Sequence, residues 1–331
     1  MIKEIKTSTY RIAFNTETGE EELEGINGND DPFSLEFPSM LDIGIMGSCP
    51  NKCKMCYQGD KVEPHMTLDL FKQIIDEAKD GTCQCALGGR GDPNLHPQFE
   101  EIIKYACENG VIPNYTTSGN GLTDEQIESS KKYCGAVAVS DYGKEFTFSA
   151  LNRLMDAEVK TNIHLVFSAP NFMKSIAILD GQDAWSGRVN IEKLNAVIFL
   201  LFKPQGRGRD LEKWIPTDLM LELFSYGIAL PKTKFKVGMD SCLVNHIMRF
   251  RKLNKLEQEY VDTCEGARMS CYITPDGRLV PCSFGNHDEY GSDIKHHGIR
   301  RVWNDGLAFK GFRKTLRSRP NQCPFETDGW R

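Results

Sequence analysis

The sequence predicts an α/β protein centred on a partial (β/α)6 TIM-like barrel, with an N-terminal β-hairpin and a small C-terminal hairpin-plus-helix module. Three observations carry that prediction. From residue 40, short apolar strands alternate with amphipathic helices, the pattern of a parallel sheet with helical crossovers. Six such strand–crossover units can be counted, too few to close an eight-fold barrel. Each strand runs into a polar or glycine-rich segment, and parallel α/β folds bind ligands at the carboxyl ends of their strands. The loops of interest should therefore share one rim.

Ahead of the barrel, residues 8–24 alternate through Tyr10, Ile12 and Phe14 and read as a hairpin turning near Thr18-Gly19. Asp30-Asp31-Pro32 breaks it off. Strand one is Leu41–Met46. Thr67 then caps a helix whose Leu68, Phe71, Ile74, Ile75 and Ala78 recur at helical spacing. A strand at Gln84–Leu87 leads into Gly88-Gly89-Arg90-Gly91-Asp92-Pro93, and the helix Phe99–Asn109 stops at Gly110. Strand Ile112–Thr116 ends in Thr117-Ser118-Gly119-Asn120-Gly121, after which Thr123 and Gln126 form a capping box. Strand Ala136–Val139 ends in Ser140-Asp141, and helix Phe148–Ala157 follows. Strands Thr161–Ser168 and Ala196–Phe202 complete the six, the last running into Lys203-Pro204-Gln205-Gly206-Arg207-Gly208. After Lys236–Cys242 the alternation stops. The chain thus divides into residues 1–39, 40–240 and 241–331.

At 331 residues the chain can bury a sizeable core without staples. Its formal net charge of −6 argues against a generally nucleic-acid-binding surface. The basic clusters Arg249-Phe250-Arg251-Lys252 and Lys310-Gly311-Phe312-Arg313-Lys314 read as solvated helix faces. No signal peptide or membrane span is visible, so a cytoplasmic location is expected. In that compartment twelve cysteines, several of them grouped, read as metal or catalytic ligands and not as disulfides.

The most informative group is Cys49, Cys53 and Cys56, a C-x-x-x-C-x-x-C array directly after strand one. Iron–sulfur clusters normally take four thiolates, so three on one loop would leave one iron of a four-iron cluster open to another ligand. The same open position separates catalytic from structural zinc sites. A structural zinc knuckle and a redox C-x-x-C pair are the alternatives. The array resembles the signature of the radical S-adenosylmethionine (radical SAM) superfamily. That resemblance implies a [4Fe–4S] cluster on these three cysteines, with S-adenosylmethionine bound to the open iron.

Further positions follow from the resemblance. Gly88, Gly89, Gly91 and Asp92 look like the family's G-G-E-P segment, which binds the methionine ammonium, with aspartate where glutamate is usual and one extra residue. Met55 and Tyr57 are expected at the adenine. The Ser118-Gly119-Asn120 turn is similar to the family's T-N-G turn, and Ser140 to its serine at the ribose or carboxylate. Asn162 and His164 alternate with Ile163 and Leu165 and should face the other side of the strand, towards cofactor or substrate if that side is the barrel interior. For His164 a hydrogen-bonded core role is the alternative. Arg207 would suit a carboxylate through paired hydrogen bonds, or simply face solvent.

A second cysteine group follows residue 240. Cys264, Gly277 and Cys282 have C-x12-G-x4-C spacing around Asp276-Gly277, a hairpin turn signal. This resembles the SPASM or twitch extension of radical SAM proteins, which holds an auxiliary four-iron cluster. Ile299-Arg300-Arg301-Val302-Trp303 with Phe309, Phe312 and Arg313 look like its closing helix. The chain ends eight residues after Cys323, so one auxiliary [4Fe–4S] cluster is expected. Its ligands are expected to be Cys264, Cys271, Cys282 and Cys323, with Cys242 as the rival; a four-thiolate zinc site is the alternative. Cys83, Cys85, Cys107 and Cys134 sit among apolar neighbours and read as buried small hydrophobes.

The resemblance, over about residues 40–323, implies an enzyme that cleaves S-adenosylmethionine to a 5′-deoxyadenosyl radical and abstracts a substrate hydrogen. The expected substrate is a ribosomally made peptide undergoing cross-linking, epimerisation or oxidation, with reduced flavodoxin or ferredoxin as electron donor. A small-molecule (sugar alcohol) dehydrogenase is the runner-up. A zinc protein whose basic tail binds nucleic acid is the alternative from another class.

Overall fold

Side-chain alternation in the strands decides which face meets the helices. In β4, Met40–Met46, the side chains of Leu41, Ile43 and Ile45 are fully buried, while Met40, Asp42 and Gly44 take the other face. The same rule orders β8, Thr161–Phe167, where Ile163 and Leu165 are buried and Asn162 and His164 face inward. These facts come from a computed structural model that describes residues 1–28, 30–250, 252 and 263–325. Arg251 of the first basic cluster lies outside the described residues.

The main sheet has ten strands. Five more join β4 and β8 in parallel: β5 (Gln84–Gly89), β6 (Ile112–Thr117), β7 (Val137–Ser140), β9 (Ala196–Leu201) and β10 (Lys236–Met239). Each pairs with the next, as in Ala86↔Asn114, Ala138↔Asn162 and Val197↔Val237. The parallel run therefore has seven strands where six were expected. β10 is short and half polar, Lys-Val-Gly-Met, so periodicity alone cannot reveal it. On the far side of β4 lie β11 (Ser270–Ile273), β12 (Arg278–Val280) and β13 (Ser292–Asp293). β11 runs parallel to β4, with Cys271 beside Leu41 and Tyr272 beside Asp42. The expected turn at Asp276-Gly277 joins β11 to β12, with Gly277 at φ +87°.

Helices pack where apolar stripes and caps coincide. α1, Leu68–Ala78, starts at Thr67, whose hydroxyl accepts from the Leu70 amide, and buries Leu70, Phe71, Ile74, Ile75 and Ala78. α2 spans Phe99–Glu108, and α3, Asp124–Tyr133, carries both hydrogen bonds of the Thr123–Gln126 capping box. α4 (Glu145–Asp156) begins a turn before the expected Phe148. α5 (Phe172–Leu179), α6 (Asp218–Ala229) and α7 (Ser241–Ile247) complete the crossovers. The expected closing helix is two, Ile299–Asp305 and Leu307–Ser318, broken at Gly306.

The N-terminal hairpin has a third strand. β1 (Ile2–Lys6) pairs with β2 (Tyr10–Asn15), which pairs with β3 (Glu21–Gly25). Tyr10, Ile12 and Phe14 form a small separate core with Ile5, Leu35 and Cys83. Lys3 Nζ fixes this sheet to the barrel, donating to the carbonyls of Lys79, Thr82 and Gly110 at 2.6–2.8 Å. The β2–β3 turn adjoins a cavity of about 470 Å3 at the amino ends of the barrel strands.

Candidate active site

The loop after β4 is held by backbone contacts from distant segments. Gly47 leaves no room for a side chain, since a Cβ there would lie 2.0 Å from the Glu63 carbonyl. Its amide donates to His65 Nδ1 at 3.0 Å. The loop carries Cys49, Cys53 and Cys56, all half-buried, with Met55 half-buried on the turn between the last two. Burial raises the thiol pKa values of Cys49 and Cys53, and the charges of the neighbouring cysteines add to it. The Asn51 amide donates to Cys49 Sγ at 3.4 Å, and the Tyr142 hydroxyl reaches the Cys53 thiol.

Arg207, at the end of β9, serves this loop. Its Nε donates to the Cys53 carbonyl at 2.8 Å, its own amide to the Cys56 carbonyl at 2.9 Å, and a terminal nitrogen to Asp60 at 2.6 Å. The guanidinium therefore positions the cysteine loop. Gly206, at φ +53°, lets the two backbones meet, because a Cβ would fall 2.5 Å from the Tyr57 carbonyl.

The glycine-rich segment after β5 packs against the same loop. A Cβ on Gly91 would lie 2.2 Å from the Ser48 carbonyl, and one on Gly89 would lie 2.6 Å from that of Met46. Gly88 alone faces open space. Arg90 ties the segment down through its amide to the Met46 carbonyl (2.8 Å) and through Nε to Glu63 (2.7 Å). Asp92 is buried at the centre of a network. Its carboxylate accepts from Asn51 Nδ2 (2.9 Å), the Ser118 amide (2.9 Å) and the Ser118 hydroxyl. Asn120 Nδ2 donates to Asn51 Oδ1 at 2.9 Å. The cysteine loop, the Gly-Asp loop and the Ser118 turn are thus knit together. Burial pushes the Asp92 carboxyl pKa up, and these hydrogen bonds oppose that shift.

Other expected positions fall elsewhere. Tyr57 packs its ring 4.7 Å from that of Phe284, towards the C-terminal hairpin, and burial pushes its hydroxyl up to about 12. Ser140 ends β7 beside Tyr142. Asn162 sits near the amino end of β8, accepting from Asn195 Nδ2 at 2.6 Å, and lines the cavity at the opposite end of the strands from the cysteine loop. His164 meets Thr116 Oγ1 at 3.4 Å, and burial lowers its pKa to about 4, so it is a neutral, hydrogen-bonded interior histidine.

Sequence reasoning missed Arg90, Tyr142 and Asp42. Arg90 was visible as the extra residue in the glycine segment, and Tyr142 lies two residues beyond a flagged serine. Asp42 is a lone acid inside an apolar strand, the one available signal. No described residue donates a hydrogen bond to it, and burial lifts its carboxyl to about 6.

In the second group the structure brings together Cys242, Cys264, Cys282 and Cys323. The Cys282 thiol feels the charges of all three others, and Cys242 those of Cys264 and Cys323. Burial pushes Cys242 and Cys264 up to about 12. The Gly266 and Phe284 amides point at the sulfurs of Cys264 and Cys282. Cys271 stands apart. Because β11 joins the barrel sheet, this side chain shares the helix-facing side with Leu41, is 2% exposed, and has Asp42 and Arg313 as its charged neighbours. Among the described residues, no three His, Cys, Asp or Glu side chains stand close enough to hold a single ion. The donor chemistry fits iron–sulfur clusters: one set of three thiols, one of four, and amide N–H groups aimed at sulfur.

Comparison with known proteins agrees. Residues 43–140 match the family model of the radical SAM superfamily, and residues 264–324 match that of an iron-sulfur cluster-binding domain, SPASM. The mycofactocin maturase MftC of Mycobacterium tuberculosis is 23% identical over 304 residues, covering 85% of this chain and 74% of that protein. The PqqA peptide cyclase of Methylocella silvestris is 22% identical over 330 residues, covering 88% and 82%. The crystal structure of Streptococcus suis SuiB bound to its precursor peptide SuiA superposes with a TM-score of 0.69 at 14% identity, covering 94% of this chain and 90% of SuiB. Residues 43–140 thus form a radical SAM domain and residues 264–324 an SPASM domain, which together imply a [4Fe–4S] cluster that binds S-adenosylmethionine and an auxiliary cluster.

Proposed function

We propose that this enzyme modifies a ribosomally made peptide by cross-linking, epimerisation or oxidation. The observation that carries the reading is the kinship with MftC and the PqqA peptide cyclase, matched over 85% and 88% of this chain. Cys49, Cys53 and Cys56 would hold the first cluster, and Cys242, Cys264, Cys282 and Cys323 the second. When bound, S-adenosylmethionine supplies a 5′-deoxyadenosyl radical that takes hydrogen from a substrate carbon.

The chain's own residues prepare that event. Arg207 and Arg90 fix the cysteine loop from two sides, and Gly88 leaves main chain open towards the barrel interior. Asp92, Asn51 and Ser118 supply a polar wall, while the barrel core keeps water from the reacting carbon. The proposal includes a division into residues 1–39, 40–240 and 241–331, a cytoplasmic location, and reduced flavodoxin or ferredoxin as electron donor. No helix among the described residues is long and apolar enough to cross a membrane.

The test is anaerobic reconstitution followed by deoxyadenosine release, with synthetic peptides encoded beside the gene and deuterium labels on their residues. Deuterium in deoxyadenosine and a mass change in the peptide are expected. Deoxyadenosine without either, for every such peptide, would exclude the peptide reading.

A further inference from the structure

Lys203 follows β9 directly, where a solvated loop charge is the ordinary expectation, yet its side chain is only 6% exposed. Its ammonium donates to the Leu201 carbonyl at 3.0 Å and to Asp240 Oδ2 at 2.9 Å, and it faces the Cys242 sulfur. It also lies 4.7 Å from the centre of the Phe284 ring, whose residue aims its amide at Cys282. A buried ion pair is a poor device for stability, because apolar residues of similar size serve as well or better. This pair sits against the second cysteine group.

The two partners are not equivalent. Asp240 Oδ1 caps α7, accepting from the Leu243 amide at 2.8 Å and from the Leu201 amide at 3.1 Å. The ammonium caps no helix, and its one backbone contact is the Leu201 carbonyl. Reduction adds one negative charge to an iron–sulfur cluster, and cluster potentials respond to net charge, hydrogen bonds to sulfur and solvent exposure. In a desolvated site, a cation beside a ligand sulfur favours the reduced state and an anion disfavours it.

We propose that Lys203 sets the potential of the auxiliary cluster, its buried ammonium facing Cys242 so that the cluster is easier to reduce. The inference rests on the proposed assignment of Cys242 to that cluster. It gives the cluster a direction of use. For an oxidative outcome, a cluster held by these cysteines would be suited to take one electron from the carbon radical left after hydrogen abstraction, while one proton goes to solvent.

The experiment is an EPR-monitored redox titration of the reconstituted full-length protein, following the auxiliary signal. At the wild-type midpoint, Lys203→Met should lower the ratio of reduced to oxidised cluster from one to a tenth or less, a tenfold change equivalent to about 59 mV for one electron. Asp240→Asn, which keeps an oxygen for the helix cap, should move the midpoint the opposite way. Lys203→Arg should hold it near wild type. Opposite shifts separate charge from loosened packing, which would move both variants alike. An unmoved midpoint in Lys203→Met, or shifts of the same sign in both neutral variants, would overturn the inference. Cys242→Ala separates the two layers. If it keeps full iron and the auxiliary signal, the ligand assignment fails and the inference goes with it. If it loses them while Lys203→Met moves nothing, only the role of Lys203 fails.

Discussion

The two cysteine sites are built by opposite strategies. The first gathers Cys49, Cys53 and Cys56 on one loop, and everything that holds them arrives from far away in the sequence, including Arg207, Gly91 and the Asp92–Ser118 network. The second gathers Cys242, Cys264, Cys282 and Cys323 from separate segments, with a buried lysine beside one of them. The first site's ligands are local and its supports are non-local. In the second, even the ligand set depends on topology. Damage to the first should therefore leave the second standing, whereas the second is sensitive to any change in how the C-terminal strands dock.

The strongest test of that contrast is removal of the first set. Cys49→Ala/Cys53→Ala/Cys56→Ala should abolish deoxyadenosine formation, as read by chromatography, and retain roughly half the iron, the share of one of two four-iron clusters. Loss of all iron would mean the sites are not independent. Next, Cys242→Ala should lower iron to a single cluster, while Cys271→Ala should keep both and lose only about 1 kcal/mol of stability in a urea titration. The reverse result would restore Cys271 as a ligand. Arg207→Ala removes a charge-assisted hydrogen bond worth about 1.5–3 kcal/mol, so deoxyadenosine formation should fall about tenfold or more, with depleted first-cluster iron. A raised KM for S-adenosylmethionine at full iron would instead mean that Arg207 binds the cofactor carboxylate.

The smallest effect concerns Asp42, which belongs to neither site. Its carboxyl is lifted from 3.8 to about 6 in the folded chain, so the native state keeps this proton longer than the unfolded one. Stability is therefore lost as pH rises from about 4 to about 6, by at most about 3 kcal/mol for a two-unit shift. Asp42→Asn should raise the thermal midpoint at pH 7 and remove that part of the pH dependence, measured by melts from pH 4 to 7. An unchanged midpoint at pH 7 would mean that the carboxylate has a partner when folded.

Local features were legible in the sequence. The cysteine loop, the Thr67 cap, the Thr123–Gln126 box and the Gly277 turn are each written in a few consecutive residues, and the structure has them. Features that depend on what lies alongside were not. Cys271 was expected, with Cys323, to complete the auxiliary ligand set, with Cys242 as the rival, but pairing of β11 with β4 turns its side chain into the core. The packing of Tyr57 against Phe284 likewise depends on the docked hairpin and has no local signal. β1 and β10 escaped notice because their residues are too polar to announce a strand, and a neighbouring strand supplies the reason to extend.

The pairing of β11 with β4 also constrains how the protein could be cut. β4 carries the radical-generating loop, and its outer row of backbone donors and acceptors is covered only because the C-terminal chain returns to it. A barrel severed from residues 263–325 would present that row bare, an invitation to join strands from other molecules. Such a fragment should precipitate before it could be assayed.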